Sequence, residues 1–189
     1  WLSPAERCLN TFVLVIVQAM LFRKWSSMDT SKHVLTLLVD NEPGVLQRVV
    51  GLISRRGFNI ESLSVGPTEN PALSHITLVA LGDEVSFEQI AKQLHKLVPV
   101  HKITDLSGAN AIVRELALFK VEALPEKRGE IIQIANIFRA KIADLGSDSL
   151  TIEITGEDGK LKGLEDLLRP YGIKEIVRTG KIAQARNEK

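Results

Sequence analysis

The chain has 189 residues, 44% of them hydrophobic and 25% charged, with a formal net charge of +1. This is ordinary globular composition with material for one or two cores, and it lacks the basic field that would favour nucleic acid. Cys8 is the only cysteine, which excludes an intramolecular disulfide and suits a reducing compartment.

The first segment differs from the rest. Residues 12–22 form an apolar stretch, but about twenty residues are needed to span a membrane. Arg23, Lys24 and Trp25 follow where a signal peptide would carry small residues. Met28 is a candidate natural start, and residues 1–31 are expected to be an upstream extension unrelated to function, with a transit or membrane-targeting segment as the alternative.

Val34-Leu35-Thr36-Leu37-Leu38-Val39 is short, β-branched and followed by a turn, which predicts a buried strand. In the turn, Asn41 suits a helix N-cap, Pro43 the first helical turn, and Gly44 offers no side chain to obstruct a ligand. Val45, Leu46, Val49, Val50, Leu52 and Ile53 then recur at helical spacing. The unpaired N–H groups of such a helix start attract a carboxylate. Gly57 ends the helix and Phe58-Asn59-Ile60 opens the next strand. Paired side by side, the two strands would bring Asn59 to the turn, and its amide could grip an α-amino and an α-carboxylate group.

A loop at 66–71, an alternating strand at 74–81, a helix at 86–97 and a strand at 98–106 complete a ferredoxin-like βαββαβ unit over residues 32–106. Residues 107–111 read as a linker, and the order repeats over 112–189. The expected repeat comprises a strand at 112–121, a helix at 126–138, strands at 141–145 and 150–155, a helix at 159–168 and a strand at 173–178. The fold class is therefore α+β, two ferredoxin-like domains. The second lacks the Asn-x-Pro-Gly turn, which points to sensing in the first half and partner contact in the second. The basic tail (Arg178, Lys181, Arg186, Lys189) is expected to be solvated.

No catalytic constellation emerges. His33, His75, His95 and His101 lack metal-ligand spacing, and Asp83-Glu84 and Glu157-Asp158 suit helix entrances. No phosphate-binding loop occurs, since Gly156-Glu157-Asp158-Gly159 lacks a following Lys-Ser or Lys-Thr. The same element order occurs in RNA-binding domains, which stack bases on strand aromatics. Aromatic content here is 5%, and strands 34–39 and 74–81 contain no Phe, Tyr or Trp.

The Asn-x-Pro-Gly turn with Asn59 one helix later resembles the ACT domain, a ligand-sensing module of amino-acid metabolism. The string Arg56-Gly57-Phe58-Asn59-Ile60-Glu61-Ser62-Leu63-Ser64-Val65-Gly66-Pro67-Thr68 is similar to the regulatory small subunit of acetolactate (acetohydroxyacid) synthase. The strings at 93–98, 113–116 and 137–142 resemble the same family. The resemblance implies a homodimer paired through the first domain, with Asn41, Gly44 and Asn59 holding valine between two chains. Glu42, Pro43, Val45, Leu46 and Ile60 would line that site. It further implies a catalytic large subunit as partner, carrying thiamine diphosphate, magnesium and FAD, with no cofactor, metal or catalytic residue in this chain. Activation and valine feedback in branched-chain amino-acid synthesis follow, in the cytoplasm or, in a eukaryote, a plastid. The alternative is an ACT-type sensor serving a different enzyme or a transcriptional circuit.

Overall fold

The computed structural model describes residues 31–108 and 110–187. The apolar stretch at 12–22 and Cys8 lie outside them. Among the described residues no helix is long and apolar enough to cross a membrane.

Residues 31–105 build one four-stranded antiparallel sheet from β1 (Ser31–Asp40), β2 (Asn59–Pro67), β3 (Leu73–Gly82) and β4 (Val100–Asp105), in the order β2-β3-β1-β4. Helices α1 (Val45–Arg55) and α2 (Glu84–Leu94) complete the βαββαβ order. Alternation along the strands sends Leu35, Leu37, Val39, Ile76, Leu78 and Ala80 into a core with Val49 and Ile53 of α1 and Ile90 and Leu94 of α2. Helix α2 starts at Glu84 and ends at Leu94, two and three residues ahead of the expected bounds. Val98, expected to open the last strand, is 93% exposed, and β4 begins two residues later.

The second sheet is built from β5 (Ala111–Glu122), β6 (Lys141–Leu145), β7 (Ser149–Gly156) and β8 (Ile173–Arg178), in the order β6-β7-β5-β8. Phe119 and Val121 of β5, with Ile152 and Ile154 of β7, pack on α3 (Arg128–Ile137) and α4 (Asp158–Leu168) through Ile131, Ala135, Leu161 and Leu164. The two cores share no residue.

The C-terminal tail departs further from expectation. Of the basic tail residues, Arg178 and Arg186 are exposed as expected, Lys181 is buried, and Lys189 lies outside the described residues; residues Ile182–Ala185 form β9, which pairs antiparallel with the first residues of β5. Four residues alternating Ile-Ala-Gln-Ala are too short a signal to read as a strand, and β5 supplies the template. The β5–β9 ribbon lies along the helix-free face of the first sheet. Pro67 and His75 from that sheet and Ile112 and Ile182 from the ribbon line a groove of about 370 Å³ between them. Thr36, Thr77 and Val79 point to this face and are nonetheless buried. The interdomain surface therefore covers what would otherwise be an open sheet.

Candidate effector site and the interdomain clasp

The turn after β1 is built as a ligand cradle would be, though not by the expected cap. Gly44 is the N-cap of α1, with φ +86°, and no side chain caps the helix. That backbone conformation favours glycine, and a Cβ built there meets nothing within 4 Å. The first bond into the helix runs from Arg48 N to Gly44 O (3.1 Å), and Val45 N reaches Glu42 O (3.4 Å). The Leu46 and Gln47 N–H groups are left at the open end, where the helix dipole favours an anion. Asn41 donates its side-chain Nδ2 to Pro71 O (2.9 Å), and its backbone N to Ala72 O (2.8 Å). The amide is thus clamped to the β2–β3 loop instead of capping α1, and its Oδ1 accepts no hydrogen bond among the described residues.

The structure brings Asn41, Glu42, Pro43, Gly44 and Leu46 to one end of the first sheet. Leu46 is 39% exposed there, whereas Val45 is turned into the core and does not line the turn. Asn59 and Ile60 lie elsewhere, which corrects the expected adjacency within one chain. Asn59 pairs with Leu81, and Leu81 pairs with Lys32, so Asn59 is level with the start of β1. Asp40, beside the turn, pairs with Leu73 at the other end. The separation along the strands is roughly 26 Å at about 3.3 Å per residue. The cause is topological: β1 and β2 flank β3 and run parallel, so the crossover helix joins opposite ends of the sheet. Asn59 is exposed and makes no side-chain hydrogen bond among the described residues.

A second arrangement, absent from the sequence expectations, sits at the Asn59 end. Glu61 is the extra residue of a β-bulge, because Ile60 pairs with Ala80 and Ser62 with Val79. Its carboxylate meets Lys32 Nζ of β1 at 2.5 Å. Lys32 also reaches Asp158 of α4 (3.3 Å), and Asp158 pairs with Lys181, which is only 6% exposed. Lys181 N donates to Ser62 Oγ (2.8 Å). Gly180, at φ +84°, permits this approach: a Cβ there would meet Ser62 Oγ at 2.9 Å and Leu63 O at 3.1 Å. Glu61, Ser62, Asp158, Gly180 and Lys181 lie on the wall of an interdomain cleft of about 630 Å³.

Burial alone would raise the Asp158 carboxyl, but the Lys181 and Lys32 ammonium groups outweigh it and hold the group below its usual 3.8. Burial works against the charge of Lys32 as well, yet Glu61 and Asp158 raise its pKa above the usual 10.5. Burial, aided by Lys32, lowers Lys181. Because the folded Asp158 pKa is depressed, its contribution to the clasp is present above 3.8 and is lost as pH falls through the lower folded value. A carboxyl-carbon NMR titration should place the Asp158 midpoint below 3.8, and Lys181→Met should move it back toward that value. An unshifted midpoint in the parent chain would contradict the clasp. Among the described residues no group of three or more His, Cys, Asp or Glu is arranged to hold a metal ion.

Comparison with known proteins agrees with both halves of the chain. The family model "AHAS small subunit-like ACT domain" matches residues 35–102, and "Small subunit of acetolactate synthase" matches residues 114–187. An Archaeoglobus fulgidus protein named probable acetolactate synthase small subunit is 52% identical over 158 residues, covering 84% of this chain and 99% of its own. The acetolactate synthase small subunit of Mycolicibacterium smegmatis is 49% identical over 160 residues, covering 85% and 94%. The crystal structure of the acetolactate synthase small subunit from Thermotoga maritima superposes with a TM-score of 0.76 at 42% identity, over 83% of this chain and 98% of that one. An ACT-type sheet with an open helix start, joined to a second sheet of matching family, leaves one assignment: this chain belongs to the acetolactate synthase small-subunit family.

Proposed function

We propose that the chain is a non-catalytic regulatory subunit that binds valine between two copies of its first domain and tunes a thiamine-diphosphate-dependent catalytic subunit. The observation that carries this reading is the uncapped start of α1. Its free Leu46 and Gln47 N–H groups suit the effector's carboxylate, and the Asn41 Oδ1 suits its ammonium group. Leu46 offers apolar contact to the branched side chain.

The remaining amide comes from a second copy. β2 is an edge strand, and an exposed edge is best covered by pairing. Antiparallel pairing of β2 with β2 of a second copy sets Asn59 of one chain level with Pro67 of the other. Pro67 pairs with Ser74, and Ser74 with Val39, so that level is the one bearing the second copy's 41–44 turn. A two-fold dimer of this kind has two equivalent sites, each drawing on both chains.

Effector binding acts on catalysis only through different affinities for two states of the assembly, typically about 1–3 kcal/mol of coupling. In this reading thiamine diphosphate, magnesium and FAD belong to the catalytic partner. The second domain makes contact with that partner, and Ile137, 77% exposed at the end of α3, is an apolar candidate for the contact. The test is reconstitution. Adding this chain to a catalytic subunit should raise acetolactate formation, and valine should lower it again. No change in rate on mixing would exclude the regulatory role; a rise in rate that valine leaves untouched would exclude the effector.

A further inference from the structure

The clasp and the effector half-site of each chain occupy the same end of β2. Asn59 and Lys32 are level across β3, and only Ile60 separates Asn59 from the bulged Glu61. From Glu61 the path continues through Lys32 to Asp158 on α4, and through Ser62 to Lys181 and Gly180 ahead of β9. Both routes cross from the first sheet to the second domain. Among the described residues these are polar links between the two units at this end.

The bulge matters physically. The ladder is interrupted at Glu61, so its backbone is not fixed by β3 in the way that Ile60 and Ser62 are. That interruption lies two residues from Asn59. The Glu61 carboxylate is one of two acids gripping Lys32, so a shift there redistributes charge on Asp158 and Lys181. Lys181 is buried and its backbone N–H is held by Ser62, which ties the start of β9 to the same strand.

We propose that the Lys32–Glu61–Asp158–Lys181 cluster is the coupling element that conveys effector occupancy at Asn59 to the second domain. The proposal rests on the effector site assigned above. The four residues are positioning residues: none touches the effector, and each acts through the relative placement of the two domains. Asp158→Asn removes one charge at the centre of the cluster and keeps a residue suited to a helix start. Lys32→Gln does the same from the first domain and serves if the Asp158 variant does not fold.

The test uses the full chain reconstituted with its catalytic subunit. Valine affinity is measured by calorimetry, inhibition at saturating valine by acetolactate formation, and the clasp by amide hydrogen exchange at residues 61–63 and 180–181. In the parent, valine should alter exchange at both segments. In Asp158→Asn, the valine affinity of the full chain alone should stay within about two-fold, while in the assembly the response at 180–181 disappears and maximal inhibition, a kinetic quantity not bound by affinity reciprocity, falls below about half of the parent's. A variant that binds valine and is inhibited as fully as the parent overturns the coupling role and leaves the effector site standing. A parent chain that binds no valine overturns both.

Discussion

Gly44→Asp is expected to abolish valine inhibition while leaving activation of the catalytic subunit intact. The new carboxylate would stand at the open start of α1, beside the Leu46 and Gln47 N–H groups that the proposed site offers to the effector's own carboxylate. Two like charges about 4 Å apart near a protein surface repel by roughly 4 kcal/mol before salt screening, so a loss of at least about 100-fold in affinity is expected. The backbone adds a smaller effect, because φ at Gly44 is +86° and a side chain there costs about 1 kcal/mol of stability. Gly44→Ala separates the two: nothing lies within 4 Å of its Cβ, so it carries the strain without the charge. Calorimetric titration of valine into parent, Gly44→Ala and Gly44→Asp should give near-parental affinity for Ala and none detectable for Asp. Equal affinities for parent and Asp would remove the carboxylate from this helix start.

Phe119→Ala is expected to unfold the second domain and leave the first one folded. Phe119 lies on the central strand β5, fully buried between β7 and β8 and under the α3–α4 layer. Truncating a buried Phe costs about 3–5 kcal/mol, a large share of the roughly 5–15 kcal/mol that holds a domain together. The core of the first sheet contains none of the residues Phe119 packs against, so the loss should not be shared. Differential scanning calorimetry should show the second-domain transition lowered or gone, with that of the first near its parental temperature. A single transition that moves as one would mean that the interdomain surface makes the two sheets one cooperative unit. Leu37→Ala, in the other core, should give the reverse pattern.

The elements were legible because their signals are local. Period-two alternation at 74–81 and helical spacing at 45–53 each reflect one face meeting one core, and they name β3 and α1 directly. Gly57 at φ +78° is where a helix-ending glycine belongs. Asn41 has the residue type of a cap, but its Nδ2 donates to Pro71 O and no side chain caps α1. Which acceptor an exposed amide finds depends on a loop thirty residues away, and nothing near Asn41 encodes that.

By itself the sequence determined the two βαββαβ units, the open turn at Gly44 and the family strings, since each follows from residues close together in the chain. Only the tertiary structure decided that Asn59 stands at the far end of the sheet from that turn, because strand order and direction, not spacing, set where a crossover delivers its last residue. It alone decided that Lys181 is buried against Asp158 and that the tail is a strand. A charged residue in a short polar tail is ordinarily solvated, and here a distant helix start and an interrupted ladder supply the partners that make its burial tolerable.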